Sequence, residues 1–224
     1  MDSARYRPAP HVLRHIQGTD FVAVVGPTGV GKTTLIKAAA KRPGLHMLVS
    51  VFSRPQRPDE IEGVDAHFRG LEEARARMAA GEFVTAVPHP SGHIYATAPE
   101  DYPVGKAVLL ATLSSAVDEF RALPFRTFRT LYVLPESAAA WHARLAGRGW
   151  GAAELAPRFA EARESLAFAL ARPEVQFVIN RTGGLGAAAA GLAALATGQH
   201  APHAAQQEAG RRLAQELLAS LPAA

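Results

Sequence analysis

Eight consecutive residues, Gly26-Pro27-Thr28-Gly29-Val30-Gly31-Lys32-Thr33, restrict the fold more than any other segment. They satisfy the spacing G-x-x-x-x-G-K-S/T. Before them runs FVAVV (21–25), an unbroken apolar and β-branched segment that predicts a buried parallel strand. After them, residues 32–41 read as a helix, stopped by Pro43 and Gly44. A glycine loop in this setting lets the backbone curl until several amide N–H groups face one anion, and the helix N-terminus adds a positive dipole. Such a loop cradles nucleotide phosphates. Lys32 would reach the β- and γ-phosphates and Thr33 would ligand magnesium. Gly26, Thr28, Gly29, Gly31 and Thr34 complete the cradle.

The rest of the chain alternates between strand and helix signals. Strands are expected at 45–51, 107–111 (AVLLA), 130–134 (TLYVL) and 175–180. Helices are expected at 115–122, 138–146 and 154–171, with a packing helix at 186–196. This order predicts an α/β fold, a P-loop NTPase-type, mostly parallel sheet sandwiched by helices. Residues 52–103 break the pattern. They are rich in Pro, Gly and charge, carry one helical stretch at 71–80, and read as an inserted lobe. Residues 1–18 read as a loose lead-in. From His200 a polar opening gives way to Leu213, Leu217, Leu218 and Leu221 at helical spacing, a tail helix docked on the body or on a partner.

Composition narrows the classes further. The chain has 224 residues, 48% hydrophobic and 20% charged, which suits one soluble domain with a substantial core. It has no cysteine, which excludes disulfides, thiolate zinc sites and a cysteine nucleophile. The net charge is +4, without the basic run that a nucleic-acid arm needs. The first 20 residues hold no apolar signal core, and the alanine-rich stretch at 185–196 is too short to span a bilayer. A cytoplasmic protein with neither nucleic-acid nor membrane partners is expected. A homodimer stays open.

Several further segments stand in a telling order. Ser50-Val-Phe-Ser-Arg54-Pro-Gln-Arg57-Pro-Asp-Glu60 precedes Gly63-Val-Asp65-Ala-His67-Phe68, then Gly81-Glu82-Phe83, Gly92-His-Ile-Tyr95-Ala-Thr97 and Arg144-Leu-Ala-Gly-Arg148-Gly149. In this order and spacing the chain resembles the guanylate kinase family over about residues 20–197. The resemblance implies a domain at 19–198 with an acceptor lobe near 50–103, a helical lid near 135–158, and a separate tail at 199–224. It implies an ATP-dependent kinase, using Mg²⁺, whose acceptor is itself a phosphate, by default that of a nucleoside monophosphate such as GMP or a modified nucleotide. Arg54 and Arg57 would hold the acceptor phosphate, with Glu60 orienting them, and Ser50, Thr85, Tyr95 and Thr97 would complete the acceptor site. Two guanidinium forks stiffened by Pro55 and Pro58 suit a phosphate dianion on chemical grounds as well. Arg144, Arg148 and Arg158 would clamp the transferring phosphoryl group beside Lys32, a catalytic set without a protein base. Asn180 would touch the donor adenine.

The sequence also departs from the family, and the departures converge. The family's phosphate-contacting tyrosine is Ala66, the glutamate after Gly-Glu-Phe-x is Thr85, and the strand usually ending in Asp-x-Asp reads Leu110-Ala111-Thr112-Leu113. A charged hydrogen bond is worth roughly 1.5–3 kcal/mol, so losing two carboxylates predicts weak guanine selection unless Asp65, Asp101 or Asp118 substitutes. Similar losses occur in ribose 1,5-bisphosphate phosphokinases, although this chain keeps both Arg54 and Arg57. A non-catalytic guanylate-kinase-like binding module is the other alternative. The intact Gly31, Lys32 and Thr33 argue against it.

Overall fold

The computed structural model describes residues 6–89, 91–198 and 203–222. In chain order the helices are α1 (Pro10–Ile16), α2 (Lys32–Ala39), α3 (Leu71–Ala79), α4 (Val117–Arg121), α5 (Ala138–Ala146), α6 (Ala152–Leu170), α7 (Leu185–Thr197) and α8 (Ala204–Ala219). The strands are β1 (Asp20–Val25), β2 (Leu45–Met47), β3 (Val51–Phe52), β4 (His67–Phe68), β5 (Thr85–Pro88), β6 (Ile94–Thr97), β7 (Ala107–Ala111), β8 (Thr127–Pro135) and β9 (Gln176–Asn180).

Five strands form a parallel sheet in the order β2-β7-β1-β8-β9. The apolar run of β1 occupies its centre, with residues 21–25 essentially inaccessible to water. Phe21 stacks with Phe120 and Phe125 at centroid distances of 4.8 and 4.6 Å. Helices α2 and α7 pack together as one layer and α6 and α8 as another, so the sheet is covered as a parallel sheet must be. This is the α/β architecture expected from the alternation of strand and helix signals.

Three expectations are corrected here. The segment 45–51 is not one strand. Leu45–Met47 joins the main sheet, whereas Val51–Phe52 belongs to a second one. Between them the Val49 amide donates to the Asp101 carboxylate, which turns the chain out of the first sheet. Within the lead-in, residues 6–18 are not loose, whereas 1–5 lie outside the described residues: Val12 and Ile16 of α1 are fully buried. The Tyr6 hydroxyl bonds both the carbonyl and the amide of Phe83, at 2.7 and 2.8 Å, and the Ala9 amide donates to the Gly81 carbonyl at 2.8 Å. The inserted lobe is more than one helix and loops. It contains a four-stranded sheet, β4-β3-β6-β5, lying over α3 with its own core of Val51, Ala74, Phe83, Ala86, Ile94 and Ala96.

The tail helix docks on the body. Ala214 and Leu217 of α8 are fully buried, and Gly210 lets the helix approach Phe177 on the edge strand β9. The Gln207 side chain accepts from the Phe177 amide at 2.6 Å and donates to its carbonyl at 3.3 Å. It thereby satisfies part of that strand edge as a neighbouring strand would.

Candidate active site

The glycine loop joins the end of β1 to the start of α2. Gly29 and Gly31 both sit at φ 85, a region that glycine enters without a Cβ penalty. A Cβ on Gly31 would come within 2.9 Å of Asn180 Nδ2. No side chain caps the first amides of α2, so the loop and the helix N-terminus offer unsatisfied donors and a positive dipole. An anionic phosphate chain matches that donor set. Lys32 Nζ donates to the carbonyls of Gly26 and Pro27, at 2.5 and 3.2 Å. Burial holds its pKa below the ordinary lysine value, while the Glu161 carboxylate pulls the other way.

Four residues grip the outside of the loop. Trp141 Nε1 donates to the Thr28 carbonyl at 2.8 Å, and the Thr28 hydroxyl donates to Glu161 at 3.1 Å. Asn180 Nδ2 donates to the Val30 carbonyl at 2.8 Å. The sequence places Asn180 against the donor adenine; in the structure its amide nitrogen is engaged with the loop backbone. Arg144 Nη2 donates to Glu136 at 2.7 Å and to the Asn180 carbonyl at 2.9 Å, with Nη1 3.5 Å from the Val30 carbonyl. Arg144 is thus pinned at the loop. Arg148 and Arg158 lie apart from it, around Trp150, with their guanidinium carbons 5.5 and 3.9 Å from the indole centroid.

The acceptor-lobe residues converge at β3 and β6. Glu60 clamps Arg54 with two bonds of 2.7 and 2.6 Å and also accepts from the Arg57 backbone amide at 2.9 Å. The Arg54 guanidinium lies 4.9 Å from the Phe52 ring centroid and 5.5 Å from that of Phe68, and Tyr95 meets Phe52 edge-on. The Arg57 side chain is 67% exposed, with Nη1 3.9 Å from Glu60 Oε1. Arg54, first, with the Arg57 amide draws the Glu60 pKa from 4.5 down to about 2, so the clamp is fully ionised near neutrality. Thr85 and Thr97 face one another across β5 and β6 at 2.9 Å, and the buried Tyr102 hydroxyl donates to Thr97 at 2.8 Å. Ser50 stands just before β3, its carbonyl accepting from the His67 amide.

Of the two positions at which the sequence departs from the family's carboxylates, one carries the Thr85 hydroxyl and the other ends at Leu113. None of the three candidate substitutes is free. Asp65 pairs with Lys37 at 2.9 Å, Asp101 bonds His46 and the Val49 amide, and Asp118 holds Arg172 with bonds of 2.6 and 2.7 Å. Leu113 is 55% exposed. Ala66 stands where the family has its phosphate-contacting tyrosine. It is fully buried and forms an isolated backbone bridge with Glu62. Glu136, Trp141, Trp150 and Glu161 escape sequence reasoning. Trp141 and Glu161 meet residues 113 and 133 positions away, and only a tryptophan recurring in an alanine-rich lid hints at them.

Fold and loop together define a P-loop nucleotide-binding protein with an inserted lobe built on a second sheet. Comparison with known proteins narrows the class. The guanylate kinase family model matches residues 19–179. The guanylate kinase of Thermosynechococcus vestitus is 34% identical over 159 residues, covering 68% of this chain and 82% of that protein. The guanylate kinase of Symbiobacterium thermophilum is 35% identical over 150 residues, 64% of this chain and 70% of that one. The crystal structure of guanylate kinase from Anaplasma phagocytophilum superposes with a TM-score of 0.57 at 17% identity, covering 88% of this chain and 93% of that one. The chain belongs to the guanylate kinase family and is an ATP-dependent kinase. Among the described residues, no helix is long and apolar enough to cross a membrane.

Proposed function

We propose that the protein transfers the γ-phosphoryl group of ATP to the phosphate of a small phosphorylated acceptor, with GMP as the default and with relaxed recognition of guanine. The observation that carries this reading is the Arg54–Glu60–Arg57 cluster beside an acceptor wall of Thr85, Thr97 and Tyr95. Arg54 is held rigid and Arg57 is open to solvent, which suits a phosphate monoester dianion arriving from outside. Lys32 and the loop amides hold the donor phosphates. Magnesium would take Thr33 as its protein ligand, with phosphate oxygens and water completing the shell. Among the described residues no group of three His, Asp or Glu could hold a metal by itself, and Mg²⁺ characteristically relies on the nucleotide. Arg148 and Arg158 neutralise the transferring group, and Arg144 keeps the lid helix seated on the loop.

A second acceptor, a sugar phosphate such as ribose 1,5-bisphosphate, is favoured by one feature. Thr85, only partly buried, suits a sugar hydroxyl, whereas a guanine N–H edge would meet no negative charge there. The test is a coupled ADP-release assay with GMP, AMP, CMP, UMP and ribose 1,5-bisphosphate under one condition. GMP is expected to lead the other acceptors by less than about 100-fold in kcat/KM, or to be overtaken. A larger lead would overturn the relaxed-guanine reading. ADP release with none of the five would overturn the kinase assignment of this acceptor lobe.

A further inference from the structure

The bend between α5 and α6 carries one aromatic side chain, Trp150, between Gly149 and Gly151. Arg158 lies over this indole at 3.9 Å and Arg148 at 5.5 Å. The bend is locked on both sides of the ring. Gly149 turns through φ 68, and the Gly151 amide donates to the Glu154 carboxylate at 3.0 Å where α6 begins. Arg158 also donates to the Glu154 carbonyl one turn back, which leaves its other nitrogens available.

These two arginines differ from the other site arginines in what holds them. Arg54 is clamped by Glu60 and Arg144 by Glu136. Among the described residues, no carboxylate lies within ion-pair distance of Arg148 or Arg158. The difference has a chemical consequence. A carboxylate orients a guanidinium but consumes its donors and cancels its charge. An aromatic face attracts the same group through the ring quadrupole, fixes its plane, and leaves the N–H edge and the full positive charge for an incoming anion.

We propose that Trp150 is a positioning residue for phosphoryl transfer, an aromatic platform that holds Arg148 and Arg158 together with their charge intact. The proposal rests on the assignment of these arginines to the transferring phosphoryl group. Neither group would then have to be recruited from solvent when the phosphates arrive, which is the preorganisation that electrostatic catalysis requires.

The test compares Trp150→Leu and Trp150→Phe with the wild type in the full chain. Three measurements are needed: steady-state kinetics with the best acceptor of the panel, urea unfolding, and fluorescence titration with Mg²⁺ and a non-hydrolysable ATP analogue. With two cation–π contacts removed, Trp150→Leu is expected to lose about tenfold or more in kcat, with ATP KM moving less than about threefold and the urea midpoint unchanged. Trp150→Phe, which keeps a ring, should stay within about threefold of wild type. The Trp150 emission, taken as wild type minus Trp150→Phe, should change when the analogue binds. Wild-type kcat in Trp150→Leu would overturn the proposal. Parallel losses in both variants that track a lowered urea midpoint would also overturn it, since they mark a packing residue. If the wild type turns over no acceptor, the kinase reading has failed separately and the titration decides. Analogue affinity about tenfold weaker in Trp150→Leu and restored in Trp150→Phe supports the platform, and equal affinities overturn it.

Discussion

One carboxylate, Glu60, organises the arginine pair to which the proposed function assigns the acceptor phosphate. It binds both terminal nitrogens of Arg54 and caps the backbone of Arg57, so one side chain sets the aim of one guanidinium and the loop position of the other. Its lowered pKa has a definite sign. A carboxylate whose folded pKa is depressed contributes fully above its unfolded value of 4.5, and the contribution fades as pH falls toward about 2. The acceptor KM should therefore be insensitive to Glu60 titration from about pH 5 to about pH 8. Glu60→Gln, which keeps the shape and removes the charge, is expected to raise the acceptor KM about tenfold and leave the ATP KM unchanged. Initial-rate kinetics with each substrate varied in turn would check this, and a change confined to ATP would contradict it. The Arg-x-x-Arg-x-x-Glu spacing makes this cluster legible in the sequence. The partner of Thr28 was not legible, because Glu161 lies 133 positions away and becomes its neighbour only through the lid.

At the scale of elements, two glycines in helices predict opposite outcomes for one substitution. A Cβ on Gly210 of α8 would stand 2.8 Å from Phe177 Cγ and closer still to its Cβ. Gly210→Ala is thus expected to destabilise the protein by about 1–3 kcal/mol through overpacking, despite the gain in helix propensity. Gly191 of α7 meets nothing within 4 Å at the same position. Gly191→Ala should be neutral, or stabilising by up to about 1 kcal/mol. Urea unfolding of the two variants checks the pair. Composition treats these glycines alike, and only the helix packing separates them. The same limit hid the acceptor-lobe sheet. Strands such as Val51–Phe52 and His67–Phe68 are too short to show a period, and they exist because backbone pairing with distant segments completes them.

For the whole molecule, the tail is part of the body. Leu217 of α8 and Leu221 just beyond its C-terminus are 0% and 7% exposed, and Gln207 covers the edge of β9. Two buried leucines contribute roughly 3–6 kcal/mol, a large share of the roughly 5–15 kcal/mol that stabilises a typical domain. Deleting residues 199–224 should lower unfolding stability by at least about 3 kcal/mol or abolish cooperative folding. Circular dichroism during urea titration would read this, and a wild-type midpoint would refute it. The sequence by itself determined the phosphate loop, the buried strand before it and the helix after it, and the arginine pair of the inserted lobe. Each of these depends on residues adjacent in the chain, where spacing and periodicity carry the physics. Tertiary structure alone decided that α1 is core, that Arg144 is pinned to the loop while Arg148 and Arg158 share an indole, and that Asp65, Asp101 and Asp118 are engaged elsewhere. Apart from the shared indole, which depends on the geometry of the bend between α5 and α6, these are contacts between segments remote in sequence. Packing and charge pairing select them only once the sheet has brought the segments together.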